Sequence, residues 1–131
     1  MLKKILIIVV CVIGGLVMAI SMQSPKFYVE RSTTISAPAA VVFEQVNDLH
    51  KWQAWSPWAK MDPAAKNTFS GPDAGVGAAL KWEGNSKVGA GTMTVVKSEP
   101  AKLVNFRLDF EKPMKGTNAA HFTFVETDGK T

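Results

Sequence analysis

Three tryptophans spaced three residues apart, Trp52, Trp55 and Trp58, are the most unusual local feature of this sequence. An indole ring offers a large apolar surface and a single N–H donor, which suits the mouth of a pocket for a lipid or another apolar molecule. The same rings could instead fill a core, and we expect this of Trp58 above all. Insertion of the rings into the headgroup region of a membrane is a third possible use.

Residues suited to catalysis or metal binding are sparse. The chain has two histidines, His50 and His121, and one cysteine, Cys11. Asp48 and His50 alone would be too few ligands for a metal, and a single thiol cannot form a cysteine-based zinc site. The sequence contains no Gly-x-Ser-x-Gly motif and no complete Gly-x-x-x-x-Gly-Lys-Ser/Thr motif of a phosphate-binding loop. We therefore predict no catalytic residues, no metal and no cofactor.

The charge of the chain is modestly positive, with 15 Lys and Arg against 11 Asp and Glu. The basic residues are scattered, and only Arg31 and Arg107 are arginines. A nucleic-acid-binding surface would need basic residues clustered on one face, so nucleic acid is not an expected partner.

The N-terminal segment, residues 1–25, has the pattern of a membrane anchor. Lys3 and Lys4 precede a run from Ile5 to Ile20 without a polar side chain, and as a helix this run would be roughly 24 Å long. A hydrocarbon core is about 30 Å thick, so residues 5–22 could form a slightly short single span with a cytoplasmic N-terminus and an extracytoplasmic domain. The alternative is a secretory signal, cleaved near Val17–Ala19, which would release a secreted protein.

The rest of the chain, residues 26–131, is predicted to be one α+β domain. Residues 27–35 are expected to form a strand, and Ala39 to Val46 show the i, i+3, i+4, i+7 spacing of a helix with one buried face. The tryptophan-rich stretch is predicted to be a short helical turn that runs into a loop at Pro57. A short strand is expected at 66–70.

Alternating apolar and polar residues predict an antiparallel meander in the last third of the sequence. Strands are expected at 78–83, 91–98, 102–111 and 118–127, and the 102–111 segment has the clearest period of two. One face would be apolar and the other wetted.

The sequence Thr127-Asp128-Gly129-Lys130 is typical of a two-residue hairpin turn, yet little sequence follows it. We therefore expect the natural chain to continue, or a partner to supply a missing layer.

The order of these elements resembles the START-like (SRPBCC) superfamily, and most closely its polyketide cyclase/dehydrase-like branch. The resemblance covers residues 27–131, and four stretches carry it: "ISAPAAVVFEQVNDLHKWQAWSPW", "FSGPDAGVGAALKWEGNSKVGAGTMTV", and the pair "LVNFRLDFEKP" and "AAHFTFVETDG". It implies a helix-grip fold, in which a curved antiparallel sheet wraps a long C-terminal helix around an apolar cavity. That gripping helix has no counterpart in this sequence.

The resemblance and the apolar face together favour a membrane-anchored domain that binds a hydrophobic small molecule or lipid. Two alternatives remain open: a cyclase or dehydratase acting on a polyketide-like substrate, and a cell-envelope protein-interaction module. The predicted ligand-binding residues are all aromatic: Trp52, Trp55, Trp82, Phe106, Phe110, Phe122 and Phe124.

Overall fold

A computed structural model of the protein describes residues 2–23, residue 26 and residues 28–131. The chain divides into two compact units, residues 1–33 and 34–131. The first unit contains helix α1, Leu2–Ser21. Its stretch from Lys3 to Ser21 is long and apolar enough to cross a membrane, and a signal sequence can have the same length and composition. The side chains of this stretch are exposed. The predicted N-terminal apolar helix is therefore present.

The second unit begins with a set of short helices. Helix α2 spans Ala39–Asn47 and buries Ala39, Phe43 and Val46 on one face, as the spacing predicted. A 3₁₀ turn at Leu49–Lys51 leads into helix α3, Trp52–Trp55, and then into helix α4, Pro57–Met61. The prediction of a loop from Pro57 onward was wrong, because proline is accepted in the first turn of a helix, where its missing N–H has no partner to lose.

The sheet is antiparallel, and its five strands neighbour one another in chain order. This confirms the α+β, helix-grip-like architecture. The register between β3 and β4 shifts at two places, between Ala90 and Gly91 and between Val95 and Lys97. Strands commonly bend at such irregularities. The strands are β1 Lys66–Ser70, β2 Ala79–Glu83, β3 Ala90–Glu99, β4 Leu103–Lys112 and β5 Gly116–Thr123.

The strand predicted for residues 27–35 is not observed in the described part of that segment, 28–35, and Phe27 lies outside the described residues. A strand needs a neighbour to receive its N–H and C=O groups. Ile35 has one: its N–H and C=O both pair with Thr131, at 2.7 and 2.9 Å. Residues 28–34 belong to none of the observed ladders, and the whole stretch is exposed.

Strand β5 is shorter than the predicted 118–127 because its partner ends. Leu103, the first residue of β4, pairs with Thr123, and beyond this pair one backbone bond follows, from the N–H of Phe124 to the carbonyl of Lys102 at 2.8 Å. The chain then makes the predicted turn, with Thr127 and Lys130 forming an isolated antiparallel bridge.

This turn segment caps helix α2. Pro38, at the N-cap, provides no side-chain acceptor, and the N–H of Ala39 instead donates to Glu126 Oε2 at 2.8 Å. The hydroxyl of Thr131 donates to the carbonyl of Ala37 at 2.8 Å. A carboxylate at a helix N-terminus satisfies an otherwise unpaired N–H and interacts favourably with the helix dipole.

Replacing Glu126 by Ala should therefore lower the free energy of unfolding by about 1 kcal/mol, because α2 would lose its cap. Urea unfolding in a mild detergent, followed by tryptophan emission, measures the change. Glu111→Ala serves as the control, since Glu111 makes an exposed ion pair with Lys81 at 3.7 Å. Equal stability of the two variants would contradict the capping role.

Candidate functional site

The apolar side chains of the sheet lie in rows that run across the strands. Residues paired across neighbouring strands point to the same face, so the register identifies each row. Phe110 pairs with Gly91, which pairs with Trp82, and these three form the row nearest one end. The rows that follow are Leu80–Met93–Leu108, then Val95–Phe106–Ala120, and then Val104–Phe122.

One end of this apolar face is closed by the helices. The Phe106 side chain is fully buried. The Trp52 ring lies edge-on to Phe106 and Phe122, with ring centroids 5.4 and 5.9 Å apart, and Phe106 and Phe122 are themselves 5.7 Å apart. Edge-to-face packing of this kind stabilises aromatic clusters beyond simple area burial. Beside it, Phe124 contacts Phe43 of α2 edge-on at 5.9 Å.

The indole N–H groups of two tryptophans complete the C-terminal end of helix α2. Trp52 Nε1 donates to the carbonyl of Val46 at 2.8 Å, and Trp55 Nε1 donates to the carbonyl of Gln45 at 3.0 Å. The last carbonyls of a helix have no partner within it, so these bonds fix α3 against α2. The polar end of each indole is therefore used structurally, while the ring faces contribute apolar surface.

Trp58 does not occupy the core, contrary to the prediction. Ser56 has an extended backbone, with φ −61° and ψ 129°, and this residue separates α3 from α4. The change of direction turns the third tryptophan away from the first two, and its side chain is 62% exposed. In one continuous helix, a spacing of three residues would keep the three tryptophans near one side. The break between α3 and α4 removes that relation.

The other end of the apolar face is more open and contains Trp82 and Phe110. Both rings are partly exposed, and they pack edge-on with centroids 5.8 Å apart. They come from β2 and β4, with Gly91 of β3 between them. A Cβ atom at residue 91 would lie 2.6 Å from Trp82 Cη2 and 2.6 Å from the Asp109 carbonyl oxygen. Glycine at this position is what lets the Trp82 ring lie across β3, and the indole N–H is held by the Val88 carbonyl at 3.1 Å.

The structure thus places the seven predicted aromatic residues on one continuous apolar surface. Phe106 belongs to the buried core, while Trp52, Trp55, Trp82, Phe122 and Phe124 are partly buried against it. Phe110 joins the surface through Trp82. Three of the partly buried apolar residues packed against this core were not singled out as ligand-binding residues by the sequence: Phe69, Leu108 and Ala120.

Charged side chains of the strands lie mainly on the opposite face. Lys81 pairs with Glu83 at 3.5 Å, and Arg107 pairs with Asp109 at 2.8 Å. A hydrogen bond from Thr117, joined by one from Arg107, lowers the pKa of the Asp109 carboxyl below its ordinary value. These groups share the parity of the wetted face and do not reach the aromatic rows.

Two clefts lie at the margins of the sheet, and neither is lined by the seven predicted aromatic residues. One, of about 240 Å³, lies between His50, Phe69 and the loop at 70–73. The other, of about 370 Å³, lies between the turn at 84–89 and Lys112–Pro113. His50 stacks on Phe69 with centroids 4.1 Å apart, and its Nδ1 lies 3.1 Å from Asp48 Oδ1. Within the described residues no group of three or more His, Cys, Asp or Glu is placed to hold a metal ion.

An antiparallel curved sheet with one aromatic, half-covered face and short helices at one end is the architecture of a hydrophobic ligand-binding fold. A family model described as polyketide cyclase / dehydrase and lipid transport matches residues 26–131, and the chain belongs to this family. Comparison with curated proteins and with solved structures gave no significant match.

Replacing Gly91 by Val should displace the Trp82 ring from Phe110 and cost about 1–3 kcal/mol of stability, as overpacking does. The displaced indole should emit at longer wavelength, and urea unfolding should show the loss of stability. Gly116→Val is the comparison, because Gly116 pairs with Phe110 in the same row but has nothing within 4 Å of a built Cβ. A Gly91→Val variant with unchanged emission would show that the ring does not depend on the glycine.

Proposed function

We propose that this protein binds a hydrophobic small molecule or a lipid on the apolar face of its sheet, at the end formed by Trp82 and Phe110. The observation that supports this most directly is the difference in side-chain exposure between the two ends of the face. Phe106 is 0% exposed beneath the helices, whereas the rings of Trp82 and Phe110 are only partly covered. The family to which the chain belongs includes lipid transport in its description.

The energetics of such a site would be those of apolar burial. A ligand that covered about 200 Å² of this surface would gain about 5 kcal/mol, before the costs of association. Polar groups at the margin of the face would orient it. Asn67 pairs with Trp82, and Asn118 pairs with Leu108, so both amides belong to the rows that the ligand would follow.

We further propose that residues 1–25 are the anchor and linker and that residues 26–131 are the binding domain. Helix α1 is long and apolar enough to span a bilayer. Lys3 and Lys4 precede its apolar run, and this supports a cytoplasmic N-terminus with the domain on the periplasmic or extracytoplasmic side. Removal of the segment as a secretory signal is the competing outcome.

Replacing Phe110 by Asp should weaken ligand binding at least about tenfold, because burial of a phenylalanine side chain stabilises by about 1.5–3 kcal/mol and the carboxylate would be desolvated. The measurement is native mass spectrometry with organic extraction of the purified full chain. Thr123→Asp is the matched control, since it adds the same charge to an exposed position on the wetted face of β5.

A co-purifying apolar molecule that is lost from Phe110→Asp and kept by Thr123→Asp would support the proposal. A folded wild-type chain that carries no apolar molecule and takes up none from an added lipid extract would contradict it.

Replacing Ile13 by Lys should impair membrane insertion, because a lysine near the centre of a spanning helix costs about 3 kcal/mol. Carbonate extraction of membranes measures retention, and the intact mass shows whether the segment is still attached. Gln23→Lys is the control, because it places the same charge just beyond the proposed span, residues 5–22, and after the last helical residue, Ser21. A wild-type chain that is released by carbonate, or one that lacks its first residues, would exclude the anchor.

A further inference from the structure

Helix α4 presents an apolar surface that the proposed ligand site does not use. Trp58 is 62% exposed and Met61 is 43% exposed, and Lys60 lies between them in the sequence. We refer to these three residues as the α4 surface. An exposed tryptophan is unusual in a soluble domain, because its ring offers one of the largest apolar areas of any side chain.

Lys60 is the only charged residue of α4, Pro57–Met61. Residues 49–61 include Lys51 and Lys60 and contain no carboxylate. Lys51 contacts Glu44 at 3.4 Å, whereas Lys60 forms no ion pair with any residue that the structure describes.

The acidic residues that flank this segment are turned toward backbone donors. Asp48 Oδ1 accepts the N–H of His50 at 2.9 Å. Asp62 accepts the N–H of Asn85 at 2.7 Å through one oxygen and the N–H of Ala64 at 3.2 Å through the other. Hydrogen bonds of this kind hold each carboxylate in place within the fold but leave its negative charge intact, and Lys60 is the charged group of the α4 surface itself.

We propose that the α4 surface docks on the headgroup region of an anionic lipid bilayer. Trp58 would lie at the interface, where indole rings are favoured, Met61 would contribute apolar area, and Lys60 would face the acidic headgroups. An anionic bilayer matches both features of the surface, the apolar ring and the unpaired cation beside it.

This inference rests on the proposed function in one respect: it makes the bilayer the source or the destination of the apolar ligand. α4 is separated by only Ser56 from α3, whose Trp52 contacts Phe106 in the closed end of the apolar face. A chain that also carries a membrane-spanning helix would need only a weak surface contact, because tethering raises the effective concentration of the bilayer.

The test uses the full chain in nanodiscs of phosphatidylcholine and phosphatidylglycerol, prepared with and without bromine atoms on the acyl chains. Brominated lipid should quench part of the tryptophan emission of the wild type. Trp58→Phe should lose that part, and Lys60→Glu or discs of phosphatidylcholine alone should reduce it. Met114→Ser is the control, because Met114 is also an exposed apolar residue, at 78%, but lies in the β4–β5 turn; its quenching should equal that of the wild type.

Equal quenching of the wild type and Trp58→Phe, or no quenching of the wild type, would overturn the proposal and favour a protein partner for the α4 surface. If the chain does not enter nanodiscs, the same lipids are offered as vesicles and sedimented. Pelleting that depends on Trp58 then supports the proposal, and pelleting that does not depend on it, or none, overturns it. The ligand measurement on Phe110→Asp is independent, so failure of the binding function is distinguishable from failure of the lipid contact.

Discussion

Burial of the Phe106 ring links the helical segment to the sheet. Phe106 is on β4, between Val95 of β3 and the small Ala120 of β5. Aromatic side chains can reach diagonal neighbours across an antiparallel pair, and the ring is accordingly contacted by Phe122, the partner of the residue two positions earlier on β4. Trp52 closes the cluster from α3. Because a fully buried aromatic ring contributes several kcal/mol, about 3–5 by truncation to Ala, the position of α3 is tied to the register of three strands.

The same constraint explains why the tryptophans have different environments. Trp52 and Trp55 bring their indole N–H groups to the last carbonyls of α2, so the end of one helix is satisfied by the side chains of the next. Pro57 has no N–H to continue α3, and the chain changes direction at Ser56. A spacing of three residues therefore produces two inward rings and one outward ring, and the outward ring is available for contact with a surface outside the domain.

Sequence patterns predicted the elements that are defined by residues close together in the sequence. The period of two in β4, the helical spacing in α2 and the Asp128-Gly129 turn each depend on residues near one another in sequence, and each is present in the structure. Predictions that depended on distant partners were less successful. The segment 28–34 alternates like a strand but has no ladder partner among the described residues.

The unpredicted features of the site also arise from distant residues. The cap on α2 comes from Glu126, 87 residues after its partner Ala39. The role of Gly91 depends on a tryptophan in the neighbouring strand, because no local pattern distinguishes a turn glycine from one that accommodates a ring. The exposure of Trp58 follows from a single break at Ser56, which the spacing of the tryptophans did not indicate.

Charged and aromatic side chains lie on opposite faces of strand β4. A general acid or base must reach the reacting group, and on β4 the ionisable residues Arg107, Asp109 and Glu111 alternate with Phe106, Leu108 and Phe110, so that their side chains point to the wetted face. Moving a carboxylate to the aromatic rows would require either a slip of one residue in the register, which would also expose Phe106, or a buried charge without a partner. The packing that fixes Phe106 therefore also keeps the aromatic face suited to an apolar ligand.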